Sequence, residues 1–292
     1  MSEPLPAGLS LGRAPRPGDD AEFVRRLRGA LASGVGGIRI EGLSSDAVAA
    51  RLDGADIVQL DVDASGARVE QAGAPDEPMD AEAFELPETA EIERGMLRSA
   101  RVSAHPVEVL GAPVTLDATV ESFPIEWITR VGGALELFDS VAEQEPAMTA
   151  DLRVRIDHTA ISTLVREVAA RATAETPQLA VTETELAVTG AGVDALAVEG
   201  AASIAMGLLR ARIRLAATVR IVDGCVVRVE GLELGSRNIL AAVAVAALRS
   251  RIEQAVAGDV DLATMLGVPE SAEVRATLRA DDGGVEARVR VR

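Results

Sequence analysis

Two histidines, one cysteine and 46 carboxylates are the side chains with which this chain could do chemistry. Zinc needs His or Cys ligands converging at short fixed intervals, and neither His105 nor His158 stands in such a spacing with the other or with Cys225. A Ser-His-Asp assembly could use either histidine, because triads form in space. There is no G-x-S-x-G elbow, however, and His158 lies at a strand-to-helix junction suited to local capping. Both histidines are therefore read as structural. The glycines form neither G-x-G-x-x-G nor G-x-x-x-x-G-K-[ST], so a phosphate cradle has no support. With so many carboxylates, a chance pair in some cleft is expected whatever the function, and abundance carries no acid-base signal. Cys225 follows Asp223-Gly224 in an expected hairpin, a place for a small buried residue, and a single cysteine cannot form an internal disulfide. The expectation is a non-catalytic protein with no metal and no cofactor.

The residues that do form a pattern are arginines. From Leu209 to Ile221, the aliphatic residues Leu209, Ala211, Ile213, Leu215, Ala217, Val219 and Ile221 point one way, and Arg210, Arg212, Arg214 and Arg220 the other. Arg228 is expected to join them on the partner strand. The last hairpin repeats the scheme, with Val274, Ala276, Leu278, Val285, Ala287, Val289 and Val291 opposed to Arg275, Arg279, Arg288 and Arg290. Such sheets are apolar on one side and wet on the other. A solvated face neutralised by neighbouring acids is the plain reading, and Arg210, Arg212 and Arg214 are the candidates for contacting an anionic headgroup.

These residues must be positioned by elements that can be read from periodicity. After a flexible start over residues 1–18, Asp19 or Asp20 caps a helix to about Ser33, with Phe23, Leu27, Ala30 and Leu31 on one face. Ile38 to Glu41 reads as a strand. Ser44 reads as the cap of a helix holding Val48 and Leu52, and Ile57 to Asp63 as a second strand. Residues 72–93 hold three prolines and, from Asp76, eight acids without a base, and are read as an exposed acidic loop. Strands at Ser99–Leu110 and Pro113–Glu121 follow. Pro124 then starts an expected helix with Ile128, Val131, Leu135 and Phe138 on its apolar face.

From Asp151 the pattern restarts, Val154-Arg155-Ile156-Asp157 resembling Ile38-Arg39-Ile40-Glu41, so two similar halves are expected, 19–146 and 147–292. The second half opens with a helix that has Thr159 as cap and Ile161, Leu164, Val165 and Val168 at helical spacing. Strands are expected at Leu179–Val188, Ala195–Ala205 and Leu209–Val222, the last paired through the Asp223-Gly224 turn to Cys225–Glu230. A helix from Ser236 to about Val256, nearly apolar all round at Ile239 to Ala247, precedes a closing hairpin. The tally is roughly ten strands and five helices, an α+β fold.

Composition narrows the partners. Of 292 residues, 48% are hydrophobic but only 2% aromatic, so the core must be aliphatic. Few aromatic platforms and a net charge of −17 both argue against nucleic acid. Residues 51–150 hold 21 acids and 6 bases, whereas 201–250 hold 3 acids and 7 bases, so the charge is polarised along the chain. The N-terminal stretch has no signal-like apolar core and the most apolar run spans only ten residues, Ile239–Leu248, which predicts a soluble, cytoplasmic protein.

The order of the second half resembles the bacterial DUF2993 or LmeA-like family. Val181–Val193 followed by Ala195–Ile204 is similar to that family's strand pair after its helix, and Asp261-Leu262 through Val274 to Val289 to its ending. Ser45 to Val62, with Leu52-Asp53-Gly54 at its centre, is similar to its opening helix, Gly turn and strand. The resemblance covers about two thirds of the chain in residue type, not in signature residues. It implies phospholipid binding and a tubular fold, with highly curved antiparallel sheets wrapped around amphipathic helices and a greasy cavity. The chain departs from the family in the acidic insertion at 76–93 and in showing no export signal. On this reading the chain binds a lipid or another long apolar molecule in an aliphatic groove lined by Ile161, Leu164, Val165, Val168, Leu240 and Val243. Transient contact with a membrane surface is left open. The alternative is an acidic scaffold whose 51–150 region engages a basic partner and which holds no small-molecule ligand.

Overall fold

The computed structural model describes residues 8–34, 38–71, 88–140, 148–174, 179–206, 209–236, 258–268 and 272–292. Among them 66% lie in strands and 13% in helices, in large mixed sheets. The expected α+β arrangement of curved sheets wrapped around amphipathic helices is therefore overturned, and the protein is mostly β. The chain divides into two compact units, one drawn from Met1–Glu108, Leu116–Asp151 and Arg292, the other from Val109–Thr115 and Leu152–Val291.

The first unit begins with β1 (Leu9–Arg13) and α1 (Asp20–Ser33), then β2 (Ile38–Glu41), β3 (Val48–Asp53), β4 (Asp56–Asp63) and β5 (Arg68–Gln71). Most of two long strands follow, β6 (Thr89–Val109) and β7 (Ala112–Arg130), and then β8 (Ala134–Asp139). Asp19 caps α1 by accepting from the Glu22 N–H at 2.8 Å, while the Glu22 carboxylate accepts from the Gly18 N–H. The stretch read as a flexible start contains β1, which pairs antiparallel with β8 and buries Leu11. Of the stretch read as an acidic loop, residues 72–87 lie outside the described residues, and Thr89 to Glu93 open β6.

Two expected helices are strands, and the reason is an ambiguity of period. Val48 and Leu52 lie four apart, a spacing that suits one face of a helix and equally one face of a strand with Ala50 between them. The chain takes the strand because β4 offers a full antiparallel partner, from Val48 opposite Val62 to Asp53 opposite Asp56. At Ile128, Val131, Leu135 and Phe138 the helical spacing is broken by a hairpin. The chain turns at Val131–Gly133, where Gly133 adopts φ 78°, and Trp127 comes to face Leu137 across β7 and β8. Pro124 sits inside β7 and does not start a helix.

The core of this unit gathers Phe23 and Leu27 of α1 with Val48, Ile57, Val62, Ile125, Trp127 and Leu135. Phe23 and Trp127 meet edge to face, centroids 5.8 Å apart. The Trp127 indole N–H donates to the Ala55 carbonyl at 2.8 Å, in the tight turn between β3 and β4. That turn lies against Gly95 of β6 so closely that a Cβ there would fall 2.2 Å from the Ala55 oxygen. Asp56 continues the joint, accepting from the Met96 N–H at 2.9 Å and pairing with Arg98 at 2.6 Å, where β4 and β6 run parallel. Arg130 is 7% exposed and pairs with Glu136 at 2.7 Å across the β7–β8 turn.

The second unit holds the rest of β9 (Thr149–Asp157), then α2 (His158–Ala174), β10 (Leu179–Gly192), β11 (Ala195–Met206), β12 (Leu209–Val222) and β13 (Val226–Ser236). It ends with β14 (Val260–Asp261), the single turn α3 (Leu262–Met265), β15 (Val274–Asp281) and β16 (Gly284–Val291). Strands β10 to β14 form a sheet in sequence order. The helix expected from Ser236 onward covers 237–257, outside the described residues, and Ser236 itself ends β13. The closing hairpin forms as read, with Ala276, Val289 and Val291 buried. A clasp ties its turn to the start of α2. Arg155 grips both Asp281 carboxylate oxygens at 2.8 and 3.0 Å, Arg153 pairs with Glu286 at 2.6 Å, and the His158 Nε2 lies 2.9 Å from the Asp281 carbonyl oxygen.

Two substitutions test the packing. Gly95→Ala is expected to destabilise by about 1–3 kcal/mol, because the Ala55 backbone blocks the new methyl. Gly29→Ala on α1 has open space around it and is expected to stabilise by about 0.5–1 kcal/mol. Urea midpoints of the two variants moving in the same direction would contradict this account. The clasp is tested by acid. The Arg155 guanidinium, and then the Gly283 N–H, hold the Asp281 carboxyl down at about 2 against an ordinary 3.8. The stabilisation it gives is full above about pH 4 and fades as pH falls toward 2. Between pH 5 and 2 the wild-type melting temperature is expected to fall more steeply than that of Asp281→Asn.

Candidate functional site

The sheet of β10 to β13 is where the sequence-singled arginines and the longest aliphatic alternation meet. Its antiparallel register places Leu186, Gly200, Leu215 and Leu234 in one row across four strands. The next rows on the same face are Val188, Val198 and Ala217, and then Gly190, Leu196, Val219 and Val229. Val188, Leu196 and Ile213 are buried, whereas Leu186, Val198, Leu215, Val219, Val229 and Leu234 are only half-buried. Gly200 leaves a gap in its row over which Leu186 leans, since a Cβ at Gly200 would come within 3.0 Å of the Leu186 Cδ1.

The opposite face is charged. Glu185, Ala201, Arg214 and Gly235 form one row there, and Ala187, Glu199, Ala216 and Glu233 another. These rows surround an open depression of about 710 Å³, its middle kept low by the small residues Ala187, Ala201, Ala216 and Gly235. Arg212 is ion-paired with Glu185. Arg220 reaches Glu230 at 3.7 Å, and Arg228, opposite Arg220 as expected, grips Asp259 at 2.6 and 2.9 Å. Arg214 is exposed and makes no ion pair among the described residues. Arg210 stands opposite Ala205 in the register.

The expected groove residues are distributed unevenly. Ile161 and Leu164 of α2 are half-buried and Val165 is 36% exposed, on a helix packed against β10. Val168 lies on α2, and Leu240 and Val243 fall outside the described residues. Alternation puts Arg212 and Arg214 on the face away from the aliphatic rows, although the depression they line is also lined by Leu186, Leu215 and Leu234. Leu186, Leu215 and Leu234 were missed as candidates. Their signal was present in the alternation, but only the register aligns them with Gly200.

The two histidines have ordinary partners. His105 Nε2 lies 3.1 Å from Asp117 and the His105 backbone N–H donates to the Ser65 hydroxyl, whose neighbour Asp63 accepts from the Ser65 N–H. The Cys225 Sγ lies 3.7 Å from the Asp261 carboxylate that caps α3. Burial first, and then that carboxylate, push the thiol up from its ordinary value. No group of three or more His, Cys, Asp or Glu side chains is placed to hold a metal among the described residues. Nor is any helix among them long and apolar enough to cross a membrane. No family model, curated protein or solved structure matches the chain.

Cys225 is accordingly expected to react slowly with a maleimide at pH 8, and Asp261→Asn to speed the reaction. Labelling as fast as that of a free thiol in the wild-type protein would contradict the environment described.

Proposed function

We propose that the chain is a non-catalytic binding protein for a lipid or other long apolar molecule, which it holds along the aliphatic face of β10 to β13. The observation that carries this reading is the half-burial of an unbroken series of aliphatic rows, Leu186, Leu215 and Leu234 foremost. Contiguous half-covered apolar surface is costly to leave against water, at roughly 25 cal/mol per Å², and an acyl chain laid across the rows relieves that cost. The neighbouring α2 face, with Ile161, Leu164 and Val165, extends the same surface chemistry. A cytoplasmic setting and kinship with the DUF2993 or LmeA-like family belong to this proposal, the first resting on composition and the second on the residue patterns of the second half.

A second reading has its own support. Residues 51–150 hold 21 acids and 6 bases, which suits docking of a basic partner protein through that region of the chain.

Native mass spectrometry of the purified chain, with organic extraction of what accompanies it, separates the two. Near-stoichiometric acyl-chain ligands, lost in a Leu215→Gln variant with an unchanged circular dichroism spectrum, are the expected result. A clean mass with no uptake from offered phospholipid would sink the lipid reading, and capture of a basic partner that fades with salt would favour the second.

A further inference from the structure

A second cleft lies in the first unit, between α1 and the segment from β2 to Leu43, and its chemistry differs from that of the charged sheet face. It holds about 750 Å³, a volume typical of small-molecule sites. Ala21, Arg25, Arg28, Gly29 and Ala32 follow one another at helical spacing along α1, on the stripe away from the buried Phe23, Leu27 and Ala30. Gly29 and the two alanines keep the helix side of the cleft low, and Val24, Ile40 and Leu43 give it apolar walls.

Three arginines enter this cleft from two elements, Arg25 and Arg28 from α1 and Arg39 from β2, against one lining carboxylate, Glu41. Glu70 joins Glu41 on Arg39, so the guanidinium charge left to a ligand in the cleft is that of Arg25 and Arg28. Arg25 and Arg28 are incompletely neutralised. Arg25 is 76% exposed and reaches Glu22 only at 3.7 Å. Arg28 donates to the Ser45 carbonyl and makes no ion pair among the described residues. Arg39 uses one terminal nitrogen on both Glu41 and Glu70, at 2.8 Å each. Its Nε is shut off from solvent, and so from a ligand in the cleft, and Arg39 serves as a wall of the site already paired within the fold. Guanidinium groups recognise planar anions through paired N–H donors.

The geometry points to a binding site, in the cleft between α1 and β2, for a carboxylate carried on an aliphatic body. The head lies between Arg25 and Arg28, and the body lies along Val24, Ile40 and Leu43. This site is separate from the aliphatic face of β10 to β13 and does not depend on it.

Octanoate is the probe, titrated calorimetrically into the full chain, with octanol as the uncharged control. In the Leu215→Gln background, where the sheet takes no acyl chain, saturable one-to-one binding of octanoate is expected, with octanol bound at least about tenfold more weakly, since a charge-assisted hydrogen bond is worth that factor or more. Arg28→Gln is expected to weaken octanoate about tenfold. The exposed Arg25→Gln, which removes no close contact of the fold, is expected to weaken it in the same direction. Leu215→Gln, in the other unit, is expected to leave octanoate affinity unchanged while abolishing acyl-chain binding to the sheet. Absence of saturable uptake, equal affinity for octanol, or full affinity in a folded Arg25→Gln, Arg28→Gln double variant would each overturn the assignment.

Discussion

The bond from the Trp127 indole to the Ala55 carbonyl is the point around which the first unit is arranged. It joins the β3–β4 turn to β7, and it can form only because Gly95 lets that turn come against β6. The same turn is held from other sides, by Arg16 on the Gly54 carbonyl, by Asp56 on Arg98 and the Met96 N–H, and by Asp20 on the Leu52 N–H. Arg16 also covers the Trp127 ring, 5.6 Å from its centroid. In a chain with a single Trp, one buried indole thus places helix, hairpin and long strands relative to one another. Its N–H needs a partner once buried, and the Ala55 carbonyl supplies it.

The second unit is organised by a different constraint, the strict alternation of strands. Four long antiparallel neighbours put every second side chain on one face, so aliphatic rows and charged rows are generated by the same register. The charged face is largely neutralised at close range, through Arg212 with Glu185 and Arg228 with Asp259. These are exposed pairs, which contribute little to stability and more to fixing which groups remain available. Among the described residues, the half-buried aliphatic rows offer apolar surface and the cleft between α1 and β2 offers guanidinium groups.

Where the sequence reading succeeded, local chemistry had a single solution. Asp19 or Asp20 as the cap set the start of α1 to within one residue, Asp223-Gly224 with positive φ at both residues fixed the hairpin of β12 and β13, and the arginine alternation fixed the faces of β12 and β16. Where it failed, a spacing of four residues satisfied two periods at once at Val48 with Leu52, and a hairpin turn fell inside the helical spacing from Ile128 to Phe138. Local propensity could not choose there. The choice was made by backbone partners distant in the chain, with β4 accepting β3 and β8 accepting β7.

By itself the sequence determined an aliphatic protein with one-sided sheets, a capped first helix, an amphipathic second one and no motif for zinc or phosphate chemistry. These follow from residue type and short-range period, which act within a few bonds. Tertiary structure alone decided that the chain is mostly β, that Leu186, Gly200, Leu215 and Leu234 share a row, and that Arg25, Arg28 and Arg39 converge on one cleft. Each of those depends on register or on packing between segments separated in sequence, and neither is encoded in the spacing within any one segment.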